Sequence, residues 1–212
     1  MFTGIPLMFL IAVGVVIIVM TLYRATRRSD AGQKDIYSDY LEAERAANFS
    51  RRSDLAPEDY LTVSTDMLPI REYPNDPAYE RAAARQKNVL EAARLPMVRD
   101  AQSMSNRELK LKYGTANLDT IIIFEENYNR FIHNLLEWAT ALITVGEKAD
   151  AAAVLAAAVE HHCDRSQAYT LMADLTADRG GLYSLREKAK NALSGAALER
   201  TLAHIDTRIG AL

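Results

Sequence analysis

Apolar side chains follow two different patterns along this chain. Residues 5–23, IPLMFLIAVGVVIIVMTLY, are almost continuously apolar and uncharged, with Thr21 the only polar side chain besides the terminal Tyr23. A helix rising 1.5 Å per residue covers about 28 Å over that length, the depth of a bilayer core. The run therefore predicts a transmembrane helix, with Pro6 in its first turn and Phe2 and Tyr23 at interfacial positions. Beyond Tyr23 the pattern becomes periodic. Ile36, Tyr40, Ala43 and Ala47 recur at helical spacing and predict a helix from Lys34 to Asn48. Pro57, Pro69 and Pro74 then predict irregular chain over 50–76. Leu55, Leu61, Val63, Met67, Leu68 and Ile70 are too apolar for a solvated tether, so this stretch is expected to run as a strap along a groove. Within it, Tyr60-Leu61-Thr62-Val63 is expected to be extended.

From residue 77 onward every periodic segment is helical. Asp76-Pro77 supplies an N-cap and a proline at the first helical position, for a helix ending near Arg94 before Pro96. Ser105-Asn106-Arg107-Glu108 is a capping box that opens a short helix closed by Gly114. The longest element runs from about Ala116 to Val145. Its seam is Ile121, Phe124, Tyr128, Phe131, Leu135, Trp138, Leu142 and Val145, broadened by Leu118, Ile122, Ile132, Leu136, Ala139 and Ile143. A stripe this wide predicts burial against several neighbours, making the helix the spine of the domain. Gly146 stops it, and Lys148 to Glu160 forms the next helix. A helix from about Ser166 to Arg179 is stopped by Gly180-Gly181, another covers Tyr183 to Leu193, and a last one follows Gly195 to about Ile209.

Charge places these pieces. Lys and Arg number 25 against 28 Asp and Glu in 212 residues, a net charge of −3, which argues against nucleic acid as a partner. The single cysteine excludes an internal disulfide. Nothing basic precedes the apolar run, while Arg24, Arg27, Arg28 and Lys34 follow it. An uncharged start and no small-x-small site argue against a cleaved signal peptide. The positive flank predicts a single-pass protein of the plasma membrane, N-terminus outside and C-terminal domain cytoplasmic. The expected organisation is residues 1–4 outside, 5–23 in the lipid bilayer, 24–49 a basic flank and helix, 50–76 the strap, and 77–212 an all-α domain.

A repeat runs through that domain. At an offset of 34, Ala139 matches Ala173, Gly146 matches Gly180 and Ala158 matches Ala192, while Leu135 aligns with Tyr169 and Trp138 with Met172. Residues 132–199 thereby resemble the tetratricopeptide repeat family. Ala139 and Ala173 stand where that family's helix A crosses helix B, Gly146 and Gly180 near the end of helix A, and Ala158 and Ala192 late in helix B. Leu185 replaces the family's early alanine in the second unit, and the proline after helix B is absent. The order of anchor, basic flank, strap and hairpins is also similar to single-pass proteins of Gram-positive anaerobes, a likeness that implies no activity.

The chemistry-bearing residues form no familiar catalytic pattern. His161-His162-Cys163-Asp164 are contiguous, so on a helix they point about 100° apart and do not converge on one ion. No zinc spacing, nucleophile elbow or phosphate loop occurs in the sequence. Glu125-Glu126 reads as a solvated helix face and Trp138 as core. No catalytic residue, cofactor or metal is therefore expected. The resemblance implies a partner-binding face lined by His133, Leu136, Thr140, Ile143 and Thr144 in one unit and Gln167, Thr170, Asp174, Ala177 and Asp178 in the next. The family's Asn and Lys clamp for a peptide carboxylate is missing. The expected function is a membrane-anchored scaffold or adaptor for a protein partner. The alternative is a self-associating structural protein, a homodimer through the Ile121–Val145 seam.

Overall fold

The computed structural model of the protein describes residue 20 and residues 39–49, 55–98 and 104–212. Among the described residues the regular elements are helices α1 at 39–48, α2 (Pro77–Ala93), α3 (Asn106–Tyr113), α4 (Leu118–Thr144), α5 (Lys148–Glu160), α6 (Ser166–Leu175), α7 (Arg179–Ala192) and α8 (Gly195–Gly210). Short 3-10 turns lie at Pro57–Asp59 and Thr115–Asn117. The chain divides into two compact units, one of residues 1–53 and 104–118, the other of 54–103 and 119–212.

In the first unit α3 opens with the capping box that its sequence predicts. Ser105 Oγ accepts from the Glu108 backbone N–H at 3.3 Å, and Glu108 accepts from the Ser105 N–H at 2.7 Å. Both orphan donors are thus satisfied at once. These bonds hold the Glu108 carboxyl below its ordinary range. Lys110 donates to Asn48 Oδ1 at 2.8 Å and lies 3.4 Å from Glu44, while Thr115 Oγ1 donates to the carbonyls of Ala47 and Asn48 at 3.3 and 3.2 Å. Ala47, Leu109 and Tyr113 are buried.

The second unit is an up-and-down array of helices. Asp76 caps α2 by accepting from the Ala78 N–H at 2.9 Å, with Pro77 in the first turn. Helix α2 runs antiparallel to α4: Arg81 pairs with Glu137, Arg85 Nη1 donates to Asn134 Oδ1 at 3.3 Å, and Asn127 Nδ2 donates to the Pro96 carbonyl at 3.0 Å. Helix α5 folds back along α4, so that Tyr128 near the far end of the hairpin donates to His161 O at 3.0 Å. Phe131, Leu135, Trp138, Leu142, Leu155, Tyr169, Leu182 and Ile205 are all fully buried in one core. Within the Ile121–Val145 seam, Ile121, Phe131, Leu135, Trp138 and Leu142 are buried against the rest of the chain, while the neighbouring Ile122 and Ile123 are exposed.

Helices α5 with α6, α6 with α7 and α8, and α7 with α8 pack in succession. Residues about one 34-residue period apart become spatial neighbours. Tyr128 reaches His162 O at 3.4 Å, Arg165 reaches Asn129 Oδ1 at 3.5 Å, and Arg208 reaches the Asp174 carbonyl at 3.5 Å. The architecture is helical and compatible with a helical-repeat fold. Ala139, Ala158 and Ala173 are fully buried within it.

Gly180 departs from the expected role. Helix α6 ends at Leu175, and Gly180-Gly181 lies in the first turn of α7 rather than stopping the preceding helix. The cause is local capping: Thr176 Oγ1 donates to Met172 O at 2.7 Å, and Asp178 accepts from the Gly181 N–H at 2.7 Å. A Cβ on Gly181 would lie 2.8 Å from Thr176 Cγ2, so glycine is needed for close approach.

Two helices end in the same six-residue motif with different residues at the left-handed position. After α4, Gly146 has φ +86° while Gly146 and Glu147 donate to Ile143 O and Leu142 O. After α5, His162 has φ +55° while His162 and Cys163 donate to Val159 O and Ala158 O. A side chain at this position carries backbone strain that glycine lacks. His162→Gly is expected to raise stability by about 0.5–1 kcal/mol, and Gly146→Ala to lower it by about 1 kcal/mol. Paired urea denaturations measure both, and an unchanged or lower midpoint for His162→Gly contradicts the argument.

The strap departs from regular structure but not from the core. Tyr60 bridges antiparallel to Val98, and the Leu61 N–H donates to Met97 O at 2.9 Å. Leu61, Val63, Leu68 and Tyr73 pack on the core, whereas Met67 is 80% exposed and Ile70 is also exposed. Of the apolar residues that predict a strap, Leu61, Val63 and Leu68 meet the core while Met67 and Ile70 face outward.

The membrane expectation is corrected as well. Helix α4, the longest described at 27 residues, carries Asp119, Glu125, Glu126, Arg130 and Glu137. Among the described residues no helix is long and apolar enough to cross a membrane. The transmembrane helix at 5–23 falls, apart from residue 20, outside the described residues. The single-pass architecture and the plasma-membrane placement resting on it are withdrawn.

Candidate functional site

Helices α6 and α8 pack against each other, and the expected site residues are carried by α4, by α6 and by the turn after α6. Asp174, on the last turn of α6, lies 2.9 Å from His204 Nε2 and 3.8 Å from Arg208 Nε of α8. The Arg208 guanidinium also donates to the backbone carbonyls of Ala173 and Asp174 at 3.4 and 3.5 Å, tying the two helix ends together. His204 and Arg208 are the residues that the expected set lacks. The signal was available, because adding 34 to Thr170 and Asp174 lands on His204 and Arg208.

The hydroxyl-bearing residues turn inward on their own helices. Thr140 Oγ1 donates to Leu136 O at 2.8 Å, Thr144 Oγ1 to Thr140 O at 2.9 Å, and Thr170 Oγ1 to Gln167 O at 3.2 Å. Each keeps acceptor lone pairs for a ligand while its proton is committed. Gln167 and Ala177 are exposed, Ile143 is half-buried, and Leu136 is buried in the core. Asp178 is exposed and caps α7. His133 stands apart from this row: it lines a cleft between α2 and α4 with Asn88, Glu91, Leu95, Arg130 and Asn134.

The strap meets the opposite end of the hairpin. Arg71 Nη2 lies 3.0 Å from both Glu147 and Asp150, with its guanidinium 5.3 Å from the Tyr73 ring centroid. Its backbone N–H donates to Gln86 Oε1 at 3.1 Å, and Gln86 Nε2 donates back to Arg71 O at 2.9 Å, so a glutamine side chain completes the strap's backbone pairing. Tyr79 Oη donates to Glu147 at 3.1 Å, and Trp138 Nε1 donates to Tyr73 Oη at 2.9 Å. Hydrogen bonds from Arg71 and then Tyr79 hold the Glu147 carboxyl below its usual range, while burial raises the Tyr73 phenol. These groups brace the strap, with the one guanidinium of Arg71 set between the two carboxylates of Glu147 and Asp150.

The His161-His162-Cys163-Asp164 run closes α5. Cys163 is fully buried, its thiol pushed up to about 11 by desolvation, and its sulfur accepts from the Arg165 N–H at 3.4 Å. Tyr169 Oη donates to Cys163 O at 3.0 Å, and burial raises that phenol too. A thiol held in this state is a poor nucleophile near neutral pH. Among the described residues no group of three or more His, Cys, Asp or Glu is placed to hold a metal ion. No protein-family model matches this chain, and neither a curated protein nor a solved structure matches it.

Proposed function

We propose that this chain is a scaffold that docks an extended segment of a protein partner on the face formed by α4, α6 and α8, in the manner of tetratricopeptide-like hairpins. The observation that carries the reading is the ladder of Asp174, His204 and Arg208 across two adjacent parallel helices, with Thr170 one turn before Asp174 on α6. Such a ladder is rigid, because each charge is already held by its neighbour. It presents a nearly neutral surface of donors and acceptors to a peptide backbone. Arg208 and Asp174 satisfy each other in the free protein, so a partner gains by adding contacts rather than by neutralising a lone charge. The reading calls for no cofactor and no catalytic step.

A photo-crosslinking amino acid placed at Thr140, at Thr170 and, as a control, at Glu187 on α7 tests this reading. The expected result is one recurrent protein adduct from the first two positions, absent at Glu187 and lost when Asp174→Arg is added. No recurrent adduct, or equal adducts at Glu187, overturns the proposal.

A further inference from the structure

We propose that the cleft between α2 and α4 binds a small organic anion, its oxyanion held by Arg130, His133 and Asn134 and its apolar body resting on Ala92 and Leu95. The cleft is an open groove of about 480 Å³, within the size range of small-molecule sites. It is separate from the α4–α6–α8 face and does not depend on the reading above.

Asn134 carries the argument. It is only 5% exposed, yet its side chain lines the cleft. Arg85 Nη1 donates to its Oδ1 at 3.3 Å, which fixes the amide orientation, because an arginine has nothing to offer an N–H. Nδ2 must then face the other way, and it has no hydrogen-bond partner among the described residues. The residue is buried but this nitrogen is not sealed off, so it is open at the cleft surface to an acceptor that a ligand brings.

The neighbours supply the matching chemistry. Arg130, His133 and Asn134 sit at i, i+3 and i+4 of α4 and therefore share one helix face. The Arg130 guanidinium has neither a hydrogen bond nor an ion pair among the described residues, and its planar fork matches an oxyanion in bidentate fashion. Asn88 faces this group across the cleft. Glu91, the one carboxylate of the lining, lies 3.9 Å from Lys87 on its own helix, four residues away. The lining thus sets the nitrogens of Arg130, His133 and Asn134 on the α4 side against Asn88 and the Lys87-paired Glu91 on the α2 side. Leu95, which is exposed, adds an apolar edge above the buried Ala92 that a bare inorganic ion would leave uncovered.

Titration of the full chain with hexanoate, followed by the Asn134 side-chain amide and His133 ring resonances, tests the site. Acetate and hexylammonium serve as comparison probes. Hexanoate is expected to shift these signals saturably and to bind more tightly than acetate, with hexylammonium inert. Arg130→Gln, an exposed substitution, is expected to weaken hexanoate by about tenfold. His133→Phe is expected to weaken it less while leaving the thermal midpoint unchanged. The proposal is overturned if hexanoate gives no saturable shift up to about 50 mM, if Arg130→Gln leaves the affinity unchanged, or if hexylammonium binds equally well.

Discussion

Trp138→Ala is expected to remove about 3–5 kcal/mol of folding stability, the usual range for deleting a buried indole. Trp138 is 0% exposed at the centre of α4, inside the core shared by α2 and α4 through α8. Two effects add. The cavity left behind loses the packing of helices on both sides of the spine, and Tyr73 loses the indole N–H that its hydroxyl accepts at 2.9 Å. Domains of this kind have total stabilities of about 5–15 kcal/mol, so the substitution consumes a large share and leaves some molecules unfolded at 37 °C. Trp138→Phe separates the two effects. It retains most of the ring and should cost about 1–3 kcal/mol, with Tyr73 and the strap losing protection first in hydrogen exchange. Urea denaturation measures both variants; a loss below about 1 kcal/mol for the alanine variant contradicts the placement of Trp138 in the core.

Ala173→Leu should lower stability by about 1–3 kcal/mol even though leucine is a strong helix former. Ala173 is fully buried on α6, the helix that packs against α5, α7 and α8. Arg208 donates to its carbonyl at 3.4 Å, so α8 cannot move away without breaking that bond. A larger side chain must push one of these helices outward and forfeit contacts along its length. Hydrogen exchange should show α8 opening ahead of α4. Stability within about 0.5 kcal/mol of the parent would mean that α6 and its neighbours leave room that their burial denies.

Much of the helical body was legible in the chain. The cap at Asp76, the capping box at Ser105 and Glu108, and the left-handed stop at Gly146 each involve groups only a few residues apart. The wide stripe on α4 likewise announced burial on several sides. The 34-residue spacing was legible as small residues at matching positions, but its extent was read one helix short. Helix α8 continues the spacing with His204 and Arg208, polar residues that no hydrophobic pattern highlights. Gly180 was misplaced because a glycine marks equally well the stop of one helix or a tight start of the next. The contact between Gly181 and Thr176 decides for the start.

Sequence alone determined most of the helices and the caps at Asp76, Ser105 and Gly146, since backbone sterics and capping act over one or two turns. Tertiary structure alone decided which side chains meet. It set Arg71 between Glu147 and Asp150, turned Met67 outward while drawing Leu68 in, and gave Asp174 its partners on α8. It also moved His133 from the expected partner face into the cleft beside Asn134. Those outcomes depend on how helices 30 to 80 residues apart dock, and docking follows the shape of the whole core rather than any local preference.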